Sequence, residues 1–180
     1  MQTDPSLRRL AAPMAVVALL SACAGYSGSD LKPGLSTRAE LVASMGEPSL
    51  RWQDADGAEQ LAFPRGPQGT ETFMAHVAAD GRLQRIEAVL NVEHFARIVP
   101  GQSDTAAVLR LLGPPPAQLS VHFSLNGEKV WKWRYCDAFS RQALFNVAFD
   151  TRTGIVSSTY HVPDYRFPGG EVPSCGQTRR

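Results

Sequence analysis

The sequence predicts an α+β protein of two tandem units, each a short helical segment packed on an antiparallel sheet of three to four strands. Three observations predict it. First, the stretch from Pro33 to Pro48 recurs without gaps from Pro100 to Pro115. Pro33, Gly34, Ser36, Gly46 and Pro48 return as Pro100, Gly101, Ser103, Gly113 and Pro115, and apolar Leu41, Val42 and Met45 return as Val108, Leu109 and Leu112. A fixed internal period marks a repeated structural unit. Second, turn pairs Asp80-Gly81, Asn126-Gly127 and Thr153-Gly154 join short runs rich in apolar residues, as antiparallel hairpins require. Third, strands follow one helix in a block instead of alternating with helices, which gives a separate α+β layer and not a parallel sheet.

Residues 1–22 stand apart from the fold. Arg8 and Arg9 form a basic start, and Leu10 to Leu20 form an apolar run broken by Pro13. The run is shorter than the roughly 20 residues that span a bilayer, and it suits a secretory leader. It ends in Leu20-Ser21-Ala22-Cys23, which resembles the lipobox of bacterial lipoproteins, where the cysteine is lipidated and becomes the new N-terminus. That resemblance implies lipidation at Cys23 and anchoring through several acyl chains, each buried CH₂ adding about 0.8 kcal/mol. Ala24 in place of Asp after the cysteine resembles the outer-membrane sorting signal. Residues 23–30 contain Tyr26-Ser27-Gly28-Ser29-Asp30, small and polar enough for a flexible tether.

The first unit is expected over 31–91. Ser36 or Thr37 can cap its helix, because a hydroxyl accepts from a free N–H of the first turn. Thr37 and Glu40 have the spacing of a capping box. Gly46 then fits the position past the helix end, with Pro48 blocking continuation. Strands follow over 49–53, 60–64, 72–78 and 82–90, with Asp80-Gly81 suiting a type I′ turn. A short helix over 94–98 links the units.

The second unit is expected over 92–163. Ser103 takes the cap position and Asp104 puts negative charge at the positive end of the helix dipole. Strands are expected over 119–124, 129–135, 144–150 and 155–161. Residues 164–180 form a tail with proline and glycine and little core potential.

A Pro-Gly, a capped helix, a Gly-x-Pro stop and a run of strands resemble the SmpA/OmlA (BamE-like) domain of bacterial envelope lipoproteins, over 31–91 and again over 95–163. Two related helix-plus-sheet units in tandem are also similar to the β-lactamase inhibitor protein fold. A BamE-like protein has one such unit, so this chain departs from that pattern. The first resemblance implies a periplasm-facing binding or scaffold module in envelope or outer-membrane protein assembly, whose partner is an envelope protein such as the assembly machinery. The second implies a module that binds and inhibits an enzyme.

The candidate functional residues cluster in Val130 to Tyr135. Trp131, Trp133 and Tyr135 share one face by strict alternation, and Lys132 and Arg134 share the other. An aromatic face is either a partner-binding surface, since Trp and Tyr dominate hot spots, or the core on which the second helix rests. Lys132 and Arg134 then face solvent or the partner. Cys136 and Cys175 remain once Cys23 is lipidated, and an exported chain meets an oxidising compartment, which suggests one disulfide. Two free thiols are the other reading.

Composition narrows the function classes. Formal net charge is +1, and a leader carrying Asp4, Arg8 and Arg9 leaves the rest near neutral, without the basic footprint nucleic acid demands. His76, His94, His122 and His161 lie one to a segment, with no second ligand at helical metal spacing. No glycine-rich phosphate loop and no Gly-x-Ser-x-Gly elbow occurs. The expectation is a binding protein with no catalytic residue, no cofactor and no metal.

Overall fold

The computed structural model describes residues 27–65, 69–119, 121–123, 127–165, 172 and 174–175. Helix α1 (Arg38–Met45) precedes β1 (Leu50–Gln53), β2 (Glu59–Arg65), β3 (Glu71–Val77) and β4 (Leu83–Ala88). Helices α2 (Val92–Phe95) and α3 (Thr105–Leu112) precede β5 (Val121–Phe123), β6 (Glu128–Cys136), β7 (Gln142–Asp150) and β8 (Val156–Pro163). The strands make two four-stranded antiparallel sheets, ordered β1-β2-β3-β4 and β5-β6-β7-β8. The α+β class and the two helix-on-sheet units stand as expected.

The repeat is carried by backbone bonds. Thr37 caps α1 with the full capping box, its side chain accepting from Glu40 N–H while the Glu40 carboxylate accepts from Thr37 N–H. In the second unit Asp104 takes this place and accepts from Ala107 N–H at 2.7 Å, so the cap is Asp104 and not Ser103. Ser103 works one step earlier. Its Oγ accepts from Val99 N–H at 2.9 Å, as Ser36 Oγ accepts from Lys32 N–H at 3.0 Å. Each Pro-Gly turn is thereby laid across the start of the fourth strand. Gly34 N–H donates to Leu83 O at 2.7 Å and Gly101 N–H to Val156 O at 2.8 Å. Leu83 and Val156 return bonds to Ser36 O and Ser103 O.

The turn at Asp80-Gly81 corrects the type I′ expectation. That turn needs positive φ at two residues, and here Gly81 has φ 81° while Asp80 does not share it. Gly81 N–H donates to Ala78 O and Ala78 N–H to Arg82 O, a turn closed by one left-handed residue. The same closure recurs at Asp54-Ala55-Asp56-Gly57 and at Asp137-Ala138-Phe139-Ser140. The Asn126-Gly127 turn lies partly outside the described residues.

The two units form interleaved layers. Leu41 and Met45 of α1 pack on Leu61, Phe63, Phe73, Ala75 and Val77 of the first sheet. Val108 and Leu112 of α3, with Phe95 of α2, pack on Trp131, Trp133, Tyr135, Phe145 and Val147 of the second. The opposite face of the first sheet, with Ala62 and Met74, meets the end of α3 at Gly113. Helix α3 therefore lies between the sheets. Gly113 sits so close to Thr72 that a Cβ there would stand 2.9 Å from its methyl, whereas a Cβ on Gly46 would meet nothing within 4 Å. One repeated glycine thus serves helix termination alone, and the other also serves close approach.

Candidate functional site

The aromatic strand is core. Trp131, Trp133 and Tyr135 are all buried, which removes them as a partner-binding surface. Phe95 stacks on Phe145 with ring centroids 4.0 Å apart and meets Tyr135 edge-on at 4.9 Å. Trp133 Nε1–H donates to Gly113 O at 3.2 Å, so the tryptophan also closes the C-terminus of α3. Trp131 meets Phe149 at 4.7 Å, with the Lys129 ammonium 4.5 Å from its ring centre. Alternation placed these side chains on one face; the covering helix makes that face internal.

Arg134 is also buried, contrary to the expectation that it faces solvent or the partner. It pairs with the buried Asp164 carboxylate, Nε to Oδ2, at 2.5 Å. A guanidinium withdrawn from water needs such a partner. Lys132 is half-buried. Neither strand face of Val130 to Tyr135 is the open surface that its composition suggests.

An open polar cleft of about 420 Å³ lies where the units meet. Sheet residues Gln60, His76, Arg85 and Glu87 line one side, and His94, Arg97 and Arg110 from the α2–α3 segment line the other. Arg110 ties the units together. It donates to Asp54 Oδ1 at 2.6 Å and to Gln60 Oε1 at 3.3 Å, while Gln60 Nε2–H donates to Arg110 O at 2.5 Å. Asn91 Oδ1 caps α2 through His94 N–H at 3.1 Å and lies 3.0 Å from His94 Nδ1. The other ring nitrogen stands 3.4 Å from Glu87 Oε2.

Arg85 pairs with Glu87 and reaches His76 Nε2 at 3.2 Å. A guanidinium only donates, so His76 Nε2 accepts and the ring is neutral. Burial, then the charge of Arg85, push the His76 pKa below its ordinary value. Burial pushes Glu87 upward, but the bonds from Arg85 and His94 outweigh it and hold the carboxylate below its usual range. The cleft thus presents paired charges on side chains from both units. Within it Glu87 is held by Arg85 and His94, and Asp54 by Arg110. Among the described residues no three His, Cys, Asp or Glu converge as metal ligands.

A second surface lies at the disulfide end of the second sheet. Cys136 and Cys175 are bonded with Cα atoms 6.0 Å apart. Cys175 N–H donates to Ser140 O at 2.7 Å, and Arg141 pairs with Ser174, so the tail segment extends the β6–β7 hairpin. Phe139 at the hairpin tip is 77% exposed, and Tyr165 is 63% exposed. Sequence reasoning missed both. The available signal was an aromatic in the middle of a tight turn, where small polar residues are usual.

The loops that follow the two Gly-x-Pro stops, residues 47–50 and 114–118, are in part consumed by folding. Ser49 of the 47–50 loop bonds Ala62 O through both its N–H and its hydroxyl. Pro116 of the 114–118 loop packs toward Gly69 of the first unit. Cys23 and the leader lie outside the described residues. No helix among the described residues is long and apolar enough to cross a membrane. Comparison with family models, curated proteins and solved structures found no match for this chain.

Proposed function

We propose that the chain is an exported lipoprotein, anchored at Cys23 in the outer membrane and facing the periplasm, that acts as a binding or scaffold module for an envelope protein. The resemblance to SmpA/OmlA (BamE-like) domains points to outer-membrane protein assembly as the process. The observation that carries the binding role is the inter-unit cleft, whose walls come from both units and whose charges are already positioned. A rigid polar recess of this kind favours a protein partner, because little ordering entropy is lost when it is occupied. The Cys136–Cys175 bond agrees with an oxidising compartment.

The inhibitor-like reading asks for one aromatic concavity running over both sheets. Phe63 and Phe73 lie under α1 and Trp131 and Trp133 under the α2–α3 segment, which weighs against it.

The test is a photocrosslinking residue placed at Arg97, an exposed position in the cleft, in the full-length protein in its own cells. Adducts identified by mass spectrometry as outer-membrane assembly proteins are expected, together with palmitate labelling that Cys23→Ser abolishes. A single soluble enzyme as the adduct would put the inhibitor reading first. Labelling that survives Cys23→Ser would remove the anchor.

A further inference from the structure

Each sheet has two edge strands, and three of the four are guarded. Strand β1 is four residues long and carries Arg51, paired with Glu59. Strand β4 carries Arg85 and Glu87. Strand β5 has three residues among those described. Shortness and charge are the usual ways of blunting an edge against pairing with another chain. Strand β8 has neither, and its other interruptions, a register shift at Ser157 and Pro163, lie at its two ends and leave residues 158–162 regular. It runs eight residues, Val-Ser-Ser-Thr-Tyr-His-Val-Pro, with no Asp, Glu, Lys or Arg.

Among the described residues the outer row of β8 meets no backbone partner from Ser157 to Val162. Val156 points both backbone groups away from β7, to Ser103 O and Gly101 N–H of the Pro-Gly turn. At the other end, Asp164 N–H bonds inward to Gln142 O. Between them the register pairs Ser158, Tyr160 and Val162 with Ala148, Asn146 and Leu144, so alternation turns Thr159 and His161 outward. Among the described residues no backbone bond reaches Thr159 or His161 from outside the sheet. The open stretch is bounded by the Pro-Gly turn at one end and by the inward step at Asp164 at the other. Its midpoint is Tyr160, 43% exposed, beside Val162, 36% exposed.

We propose that β8 is a self-association edge, pairing antiparallel with β8 of a second copy about a two-fold axis at Tyr160. In this register Thr159 of each copy exchanges both backbone bonds with His161 of the other. Tyr160 faces Tyr160 of the second copy as a non-hydrogen-bonded pair, and Ser158 faces Val162. The occupant is a second copy because the strand is uncharged and its open stretch is centred on one residue, so self-pairing brings no like charges opposite one another and uses every outward backbone group. The two second sheets then form one continuous sheet of eight strands. One strand pair is a small interface, so the dimer is expected to be weak and concentration-dependent.

The test uses the full-length protein. In a non-hydrogen-bonded pair the facing Cα atoms lie about 4.5 Å apart, within reach of a disulfide. Tyr160→Cys is expected to give a reducible homodimer band in cells, and Leu35→Cys, at an exposed position on the first unit, is not. The purified wild type in detergent is expected to show a dimer fraction that rises with concentration in sedimentation. Tyr160→Lys, which places two ammonium groups face to face, is expected to abolish it without altering the circular dichroism. A wild type that stays monomeric at all concentrations, with Tyr160→Cys no more crosslinked than Leu35→Cys, would overturn the proposal. So would a Tyr160→Cys adduct that contains a different protein in place of a second copy.

Discussion

Trp133 joins three roles in one side chain. It is fully buried, it supports α3 from below, and its indole N–H satisfies the Gly113 carbonyl at the helix end. Trp133→Ala is expected to destabilise by about 3–5 kcal/mol through cavity formation and the orphaned carbonyl, read by denaturant unfolding. Loss of less than about 1 kcal/mol would contradict the core assignment. The histidines give a pH dependence whose sign follows from burial. His76 and His161 have folded pKa values below the ordinary 6.5, both chiefly through burial. Below pH 6.5 the unfolded chain takes up these protons and the folded one resists, so stability is complete above pH 6.5 and falls as pH drops toward the folded values. Melting temperature should decline from pH 7 to 5, and the double variant His76→Gln/His161→Gln should flatten that decline. An unchanged slope would mean other groups set it.

At the scale of elements, the two helices share a stop signal and differ in what lies beside it. Gly46 and Gly113 have φ of 80° and 76°, a region where L residues are strained. Alanine at either position is expected to destabilise by roughly 1 kcal/mol or more. Gly113→Ala should cost clearly more, because its Cβ meets Thr72 of the other unit while Gly46 faces open space. Equal losses in thermal unfolding would mean the inter-unit contact yields freely. The hairpins were legible from their glycines because turn geometry is a short-range property. The turn type at Asp80-Gly81 was not, since the one-residue shift of register between His76 and Val77 enters through the partner strand.

At the scale of the molecule, α3 belongs to both units. Its Val108 and Leu112 complete the second core, while Gly113 and Arg110 seat against the first sheet. The units should therefore unfold together. A single calorimetric transition is expected, with calorimetric and van't Hoff enthalpies equal. Two resolved transitions would mean that the interface is too weak to couple them.

The sequence by itself determined the repeat, the helix caps and stops, most strand positions and the α+β class. Each rests on contacts within a few residues, where side-chain chemistry acts directly on the local backbone. Tertiary structure decided which face of Val130 to Tyr135 is covered, that Arg134 is buried with Asp164 and that a polar cleft opens between the units. It also decided that β8 lies at an edge of the second sheet. All of these depend on what packs opposite a surface. Alternation shows that a strand has two faces, but burial is settled by the distant segment that comes to lie on each of them.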